Sequence, residues 1–261
     1  MLRRQLGWPN RQGAVAQPWV VKEEATNEVH LRFRVYCEIP AVGARLALED
    51  ADLAKIAVNG QPVHEKPDGW YVDKCLGTIA LPPLNPGENI IEVTLPYGRR
   101  TNVEWCYLLG DFGVELVGTR RTIVAKQKQL GFDDITRQRL PHYTGNVTWQ
   151  VPVTTQGGSL RVTVPHYNGA MVRVALDGKP VGHVIYPPYV LEIGKVDAGR
   201  HQLDFTLLNT RENGFGPLHR TEYSNTWIGP DAWRTQNSFW TESYRLTPAG
   251  IRTAPLVEEE K

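Results

Sequence analysis

The sequence predicts an all-β protein of two antiparallel β-sandwich domains in tandem, and three observations lead there. Apolar and polar residues alternate with period two in run after run, most clearly in Val29-His30-Leu31-Arg32-Phe33-Arg34-Val35-Tyr36-Cys37 and Leu160-Arg161-Val162-Thr163-Val164. Such alternation sets one strand face on a core and the other in water. Glycine and proline clusters punctuate the runs at Pro82-Pro83, Pro86-Gly87, Gly157-Gly158 and Pro187-Pro188, and no stretch sustains a 3.6-residue period. The third observation is an internal repeat. Asn59-Gly60-Gln61-Pro62-Val63 returns as Asp177-Gly178-Lys179-Pro180-Val181, each after an alternating apolar run. A glycine turn and a strand follow each copy, from Gly87 to Leu95 and from Gly199 to Leu207. Each copy then closes on Leu, three residues, Gly and an aliphatic residue: Leu109 to Gly113-Val114, and Leu246 to Gly250-Ile251.

Taken in order along the chain, residues 1–18 are poor in apolar side chains and read as an extended arm. Domain one spans 19–124, with strands expected over Val29 to Cys37, Ala54 to Val58 and Gly87 to Leu95. Asn59-Gly60 is a hairpin tip, because both central residues of a type I′ turn need positive φ. The polar stretch 125–140 reads as a linker with a short helical turn at Asp133-Asp134-Ile135-Thr136-Arg137-Gln138. Domain two spans 141–257, with Asp177-Gly178 as the second hairpin tip and Trp149, between Val147 and Val151, in the core. The tail Glu258-Glu259-Glu260-Lys261 is expected to fray.

Composition narrows the function. Each half of the 261 residues is long enough for a core of its own. A net charge of +1 makes no electrostatic case for nucleic acid or an anionic membrane, so neither is an expected partner. No apolar run approaches the roughly 20 residues that cross a bilayer as a helix. Met1-Leu2-Arg3-Arg4 begins like a signal peptide, but Gly7-Trp8-Pro9-Asn10-Arg11 supplies no apolar region, which leaves a cytoplasmic protein or a leader outside this sequence. Cys37, Cys75 and Cys106 show no CxxC spacing; free thiols are expected, with one pairing, such as Cys37 with Cys75, left open.

No cofactor signature appears. Glu49-Asp50-Ala51-Asp52 leaves room for a structural calcium ion, against the plainer reading of a solvated acidic turn. A glycosidase needs two carboxyl groups facing each other across the scissile bond. Glu38, Glu92, Glu104, Asp111, Glu115, Asp231 and Glu242 are available, but most alternate with apolar residues on wet strand faces, and the sequence pairs none of them. The chain is therefore expected not to be an enzyme.

The aromatic residues say more. The chain has eight tryptophans, and a flat indole covers the C–H face of a sugar ring while polar neighbours bond its hydroxyls. Trp227, Trp233 and Trp240 crowd one stretch, among Arg211, Asn213, His219, Arg220, Asp231 and other polar side chains. The second copy is longer than the first, and its excess falls in this stretch, after the Leu207 strand. Function tends to be added in loops that grow on a constant scaffold. The expected carbohydrate site has Trp227 and Trp233 as stacking platforms, with Arg211, Asn213, His219 and Asp231 as hydroxyl partners. Trp70, Tyr71 and Trp105 in domain one are the second choice. The competing reading buries these rings as loop supports.

The run from Leu140 to Trp149, Leu-Pro-His-Tyr-Thr-Gly-Asn-Val-Thr-Trp, resembles the opening of the jelly-roll sugar-binding domains attached to family 2 glycoside hydrolases. Val174 to Val181, followed by Pro187-Pro188-Tyr189-Val190-Leu191-Glu192-Ile193, resembles the run that follows in those domains. Asn209 to His219, with Gly229-Pro230-Asp231-Ala232-Trp233-Arg234, is similar to the C-terminal region of family 106 α-L-rhamnosidase-like enzymes. The resemblance covers residues 130–257 and reaches domain one mainly through the repeat. It implies galactose-binding-like jelly rolls and a non-catalytic carbohydrate-binding accessory module, with an oligo- or polysaccharide and a glycoside hydrolase catalytic domain as partners. Two alternatives remain at this point: purely structural support for a catalytic domain, and glycosidase activity of the chain's own.

Overall fold

The structure, a computed structural model, describes residues 2–8, 25–98, 101, 103, 105–221 and 240–260. These residues form two compact units that divide after Lys126. A one-turn helix, α1 (Leu2–Gln5), precedes the strands of the first unit. Those strands are β1 (Asn27–Cys37), β2 (Arg45–Leu48), β3 (Lys55–Val58), β4 (Gln61–Val63), β5 (Trp70–Tyr71), β6 (Asp73–Ala80), β7 (Gly87–Tyr97), β8 (Tyr107–Leu109), β9 (Gly113–Val117) and β10 (Arg120–Val124). The second unit has β11 (Val147–Thr155), β12 (Gly158–Thr163), β13 (Tyr167–Asn168), β14 (Met171–Leu176), β15 (Lys179–Val184), β16 (Val190–Val196), β17 (Gly199–Leu208), the one-turn helix α2 (Glu212–Phe215), β18 (Gly250–Ile251) and β19 (Leu256–Glu260).

The chain is all-β, as the alternation predicts. In the first unit a sheet ordered β4-β3-β7-β1-β10-β9 lies against a sheet ordered β5-β6-β2-β8. Their facing sides share one core: Val29, Ile56, Ile91, Val93 and Leu95 from the larger sheet, Leu46, Leu48 and Ile79 from the smaller. Burial of such side chains from both sheets is the main term holding a sandwich closed. The second unit sets β11-β17-β14-β15 against β16-β12-β19, around Trp149, Val172, Val174, Leu203, Phe205 and Val162. Among the described strands, pairing is antiparallel with one exception: β10 runs parallel to β1 at Tyr36–Thr122 and Cys37–Ile123.

The sheets repeat. The order β4-β3-β7-β1 reappears as β15-β14-β17-β11, and the β6-β2-β8 run as β16-β12-β19. The two hairpin tips match in backbone, with Asn59 and Gly60 at φ 52° and 78° and Asp177 and Gly178 at 48° and 75°. Asn59 donates its N–H to the Ile90 carbonyl at 2.8 Å, while its Oδ1 accepts the Ile90 N–H at 2.8 Å. Asp177 does the same with Gln202, at 2.9 and 2.8 Å. The turn residue is thus stitched to the neighbouring long strand, a second reason for Asn or Asp beyond its tolerance of positive φ.

The last of the four landmarks does not superpose. Gly113 opens β9 and pairs with Val124, whereas Gly250 lies in β18 opposite Asn168. Leu-x-x-x-Gly-aliphatic matched by composition and not by place. Gly250 has its own cause: it sits at φ 128°, where a Cβ would overlap the Asp133 carbonyl oxygen.

Part of the stretch expected to be a linker packs on the second unit's core, through Leu130, Phe132, Ile135 and Leu140. Ile135 is fully buried, and Phe132 stacks on Trp149 with ring centroids 5.9 Å apart. Asp134 caps the short 3-10 turn Ile135–Arg137, accepting from Thr136 N–H at 3.0 Å and from the distant Ala249 N–H at 3.2 Å. The helical turn was legible; its burial was not, because only two of its residues face inward. The three cysteines are free thiols, Cys37 buried, Cys106 half-buried and Cys75 exposed, so the Cys37–Cys75 pairing is not made.

Candidate functional site

In the second unit, the chain leaves β17 at Asn209, whose side-chain amide donates to the Tyr143 carbonyl at 3.0 Å. It then turns through α2. Asn213 is buried there at 5% exposure, and its amide is fully committed. Its Nδ2 donates to the Thr247 carbonyl at 2.7 Å and its Oδ1 accepts the Thr247 N–H at 2.8 Å. This corrects the expectation of Asn213 as a hydroxyl partner: it pins two loop segments together. Arg211 is exposed, and its carbonyl accepts the N–H groups of Gly214 and Phe215.

Beyond α2, residues 218–220 form a short ladder with residues 240–245. Leu218 accepts from Arg245 N–H at 2.7 Å, His219 from Thr241 N–H at 2.8 Å, and Arg220 bridges to Trp240. His219 donates through Nδ1 to the Thr241 carbonyl at 3.0 Å. Its ring lies 4.6 Å from Tyr244 and 5.9 Å from Trp240, centroid to centroid, and Tyr244 meets His142 at 5.4 Å. His142, Tyr244, His219 and Trp240 therefore form one aromatic row, with Trp240 at its exposed end, 37% accessible. The His219 ring contacts both the Trp240 indole and the Tyr244 ring. Trp240 and Tyr244 take the places nearest it. Trp227, Trp233 and Asp231 lie outside the described residues.

The second set of residues lies on the smaller sheet of the first unit. β5 and β8 are its two edge strands, yet the rings of Tyr71 and Tyr107 meet at 5.5 Å. Between them run β6 and β2, where Thr78 pairs with Ala47 and Ala47 with Tyr107. Leu46 and Leu48 point into the core, so Ala47 points away from it. Ala47 and Thr78 are nonetheless buried, at 0% and 5%. Their small size lets the tyrosines close over them. Trp70 is 58% exposed and Trp105, two residues before Tyr107, 37%. At the near end Arg45 pairs with Asp68 and donates to Thr78 Oγ1 at 3.1 Å. Residue spacing alone gave no sign of the Tyr71–Tyr107 contact, because it spans four strands.

The carboxyl groups with displaced pKa values are Asp73, Asp133 and Asp177, all lowered. Hydrogen bonds do it in each case: the Cys75 N–H for Asp73, the Asp134 N–H for Asp133 and His201 for Asp177. Asp111 is held by Lys126 at 2.6 and 2.7 Å. Glu104, one of the candidate catalytic acids, and Asp231 fall outside the described residues. In the acidic turn Glu49 accepts the Cys75 thiol at 3.8 Å and Asp50 adopts a left-handed backbone. Among the described residues no group of three or more acidic, His or Cys side chains is placed to hold a metal ion. No described helix is long and apolar enough to cross a membrane.

No family model and no curated protein matches the chain. Among solved structures it is similar to a rhamnosidase from Novosphingobium sp. PP1Y, with 18% identity and a TM-score of 0.35 over 87% of this chain. The chain spans only 22% of that enzyme's length. A superposition this loose decides nothing about function. What it matches is one part of a much larger glycoside hydrolase.

Proposed function

We propose that the chain is a non-catalytic carbohydrate-binding module that accompanies a glycoside hydrolase catalytic domain. One observation carries the reading. Trp240 keeps 37% of its surface accessible, its indole rests against His219, which in turn meets Tyr244, and its backbone bridges to Arg220. A held, solvent-facing ring is what stacking on a pyranose requires, at low ordering cost. Arg211 and Arg220 supply donors nearby in sequence.

Affinity electrophoresis of the purified chain, guided by a glycan array, tests this. Trp240→Ala should weaken binding by about 5- to 150-fold, equivalent to roughly 1–3 kcal/mol for one stacking ring. Its melting temperature should stay nearly unchanged. A large drop in melting temperature with binding intact would make the ring a structural prop. Steady turnover of a nitrophenyl glycoside, abolished by one Asp or Glu substitution, would make the chain an enzyme.

A further inference from the structure

We propose that the open edge of β1, from Glu28 to Arg34, takes up an acidic extended strand of a partner polypeptide. The inference is independent of any sugar site and concerns the backbone of the first unit. β7 pairs with all of β1, from Asn27 to Cys37. On its other side β1 is paired only at Tyr36 and Cys37, by β10, and the Glu38 N–H donates to the Ile123 carbonyl at 2.8 Å. β10 reaches no further along β1 because the chain reverses at Gly118, φ 61°, between β9 and β10. Among the described residues nothing pairs with this side of β1 before Tyr36.

The ladder fixes which groups face the opening. Ile90, opposite Arg34, has both its N–H and its carbonyl bonded to Asn59, on the far side of β7. Residues opposite one another in an antiparallel pair exchange both bonds or neither. Arg34 therefore turns its N–H and carbonyl away from β7. So do Glu28, His30 and Arg32, each two residues apart in an unbroken register. An unpaired row of this kind is a template for a further strand. The second unit blunts the equivalent edge. Pro152 lies opposite Gln202, whose N–H and carbonyl are both bonded to Asp177, so Pro152 holds the place of Arg34 and has no N–H to offer there. The first unit keeps the donor.

Side chains select the partner. On the outer face His30, Arg32 and Arg34 are exposed; Glu92 lies opposite Arg32, and the uncharged Ile90 opposite Arg34. Glu28 is held by Lys55 at 3.0 Å. On the core side Phe33, between the core-packed Leu31 and Val35, is 36% accessible. β10 shows what this edge accepts: Ile123 turns into the core beside Cys37, and Thr122 faces out beside Tyr36. A strand continuing that pattern carries apolar side chains toward Phe33 and carboxylates toward Arg32 and Arg34. The cations turn away a second copy of the same edge and draw an acidic strand.

The test is fluorescence anisotropy of the full chain with a short labelled peptide of alternating Glu and Val. Its counterpart with Lys in place of Glu and its fully N-methylated form serve as comparisons. The acidic peptide should bind and the other two should not. Arg34→Pro, which copies Pro152, should weaken binding at least about 3-fold by removing one N–H donor. Arg32→Glu combined with Arg34→Glu should reverse the preference toward the Lys peptide. Melting temperatures check that the variants are folded. Amide exchange reads the geometry: saturating acidic peptide should slow exchange at His30, Arg32 and Arg34 and leave Leu31, Phe33 and Val35, which already face β7, unchanged. Absence of binding, equal binding of the Lys or N-methylated peptide, or protection without that alternation overturns the proposal. So does a wild type that self-associates in sedimentation while Arg34→Pro stays monomeric, which assigns the edge to a second copy instead.

Discussion

At the scale of single residues, burial separates side chains that look alike in the sequence. Asn213 and His219 both sit in an aromatic-rich loop among polar neighbours, and both read as hydroxyl partners there. The fold spends the Asn213 amide on the Thr247 backbone. Asn213→Ala therefore strands the half-buried N–H and carbonyl of Thr247. It should cost about 1–3 kcal/mol, seen as a lower melting temperature, with sugar affinity below the transition unchanged. Lost affinity at full stability would restore Asn213 to the ligand site. Cys106 shows the same logic for a thiol, since burial pushes its pKa up to about 11 and keeps it protonated at neutral pH.

At the scale of elements, the two hairpins are one device built with different chemistry. In the first copy Asn59 Nδ2 donates to Asn89 Oδ1 at 3.0 Å, a neutral amide pair. In the second the equivalent residues are Asp177 and His201, joined at 2.7 Å. His201 Nε2 also faces the Asp197 carbonyl at 3.0 Å. Both ring nitrogens meet acceptors, so only the imidazolium satisfies both. The Asp177 bond is the larger cause of the raised His201 pKa, followed by the Asp197 carbonyl, and the bond to His201 is the first cause of the lowered Asp177 pKa. For a raised histidine, the stabilising contribution is complete below its ordinary value of 6.5 and is lost as pH rises through the folded pKa. For a lowered aspartate, it is present above the ordinary 3.8 and is lost as pH falls through the folded pKa. The hairpin should hold best between these limits. NMR titration should place the His201 pKa above 6.5 and Asp177→Asn should bring it down. The paired change Asp177→Asn and His201→Asn, which copies the first hairpin, should leave the protection factors of the tip amides, with the intrinsic pH dependence of exchange divided out, constant across that range; protection that still varies with pH would clear His201 of the effect.

At the scale of the whole molecule, each unit is a sandwich with its own core, and one buried residue in the approach to the second unit does much of the closing. Ile135 has no exposed surface, and its N–H donates to the Ala249 carbonyl at 2.8 Å, tying residues 130–140 to the strand that ends the loop. Ile135→Ala should cost about 2–5 kcal/mol, a cavity term added to lost transfer energy. Hydrogen exchange should report it as faster exchange in β11, β14 and β17. Unchanged protection there would mean that the segment is a tether and no part of the core.

The sequence by itself determined the all-β class, the long strands, both hairpin tips and the central repeat, because these depend on local causes: a period of two, and turn residues that accept positive φ. The burial of Trp149 was legible for the same reason. Only the tertiary structure decided which polar side chains were spent on backbone groups, as at Asn213, and that Gly113 and Gly250 hold different places. It also decided that Leu130, Phe132, Ile135 and Leu140 pack on the second unit's core, and that Tyr71 and Tyr107 meet across four strands. The physical reason is separation along the chain: hydrogen bonds and ring contacts between segments tens of residues apart leave no periodic trace in either segment. The other aromatic residues were visible in the sequence as a composition, and the fold alone set the exposure of Trp70, Trp105 and Trp240.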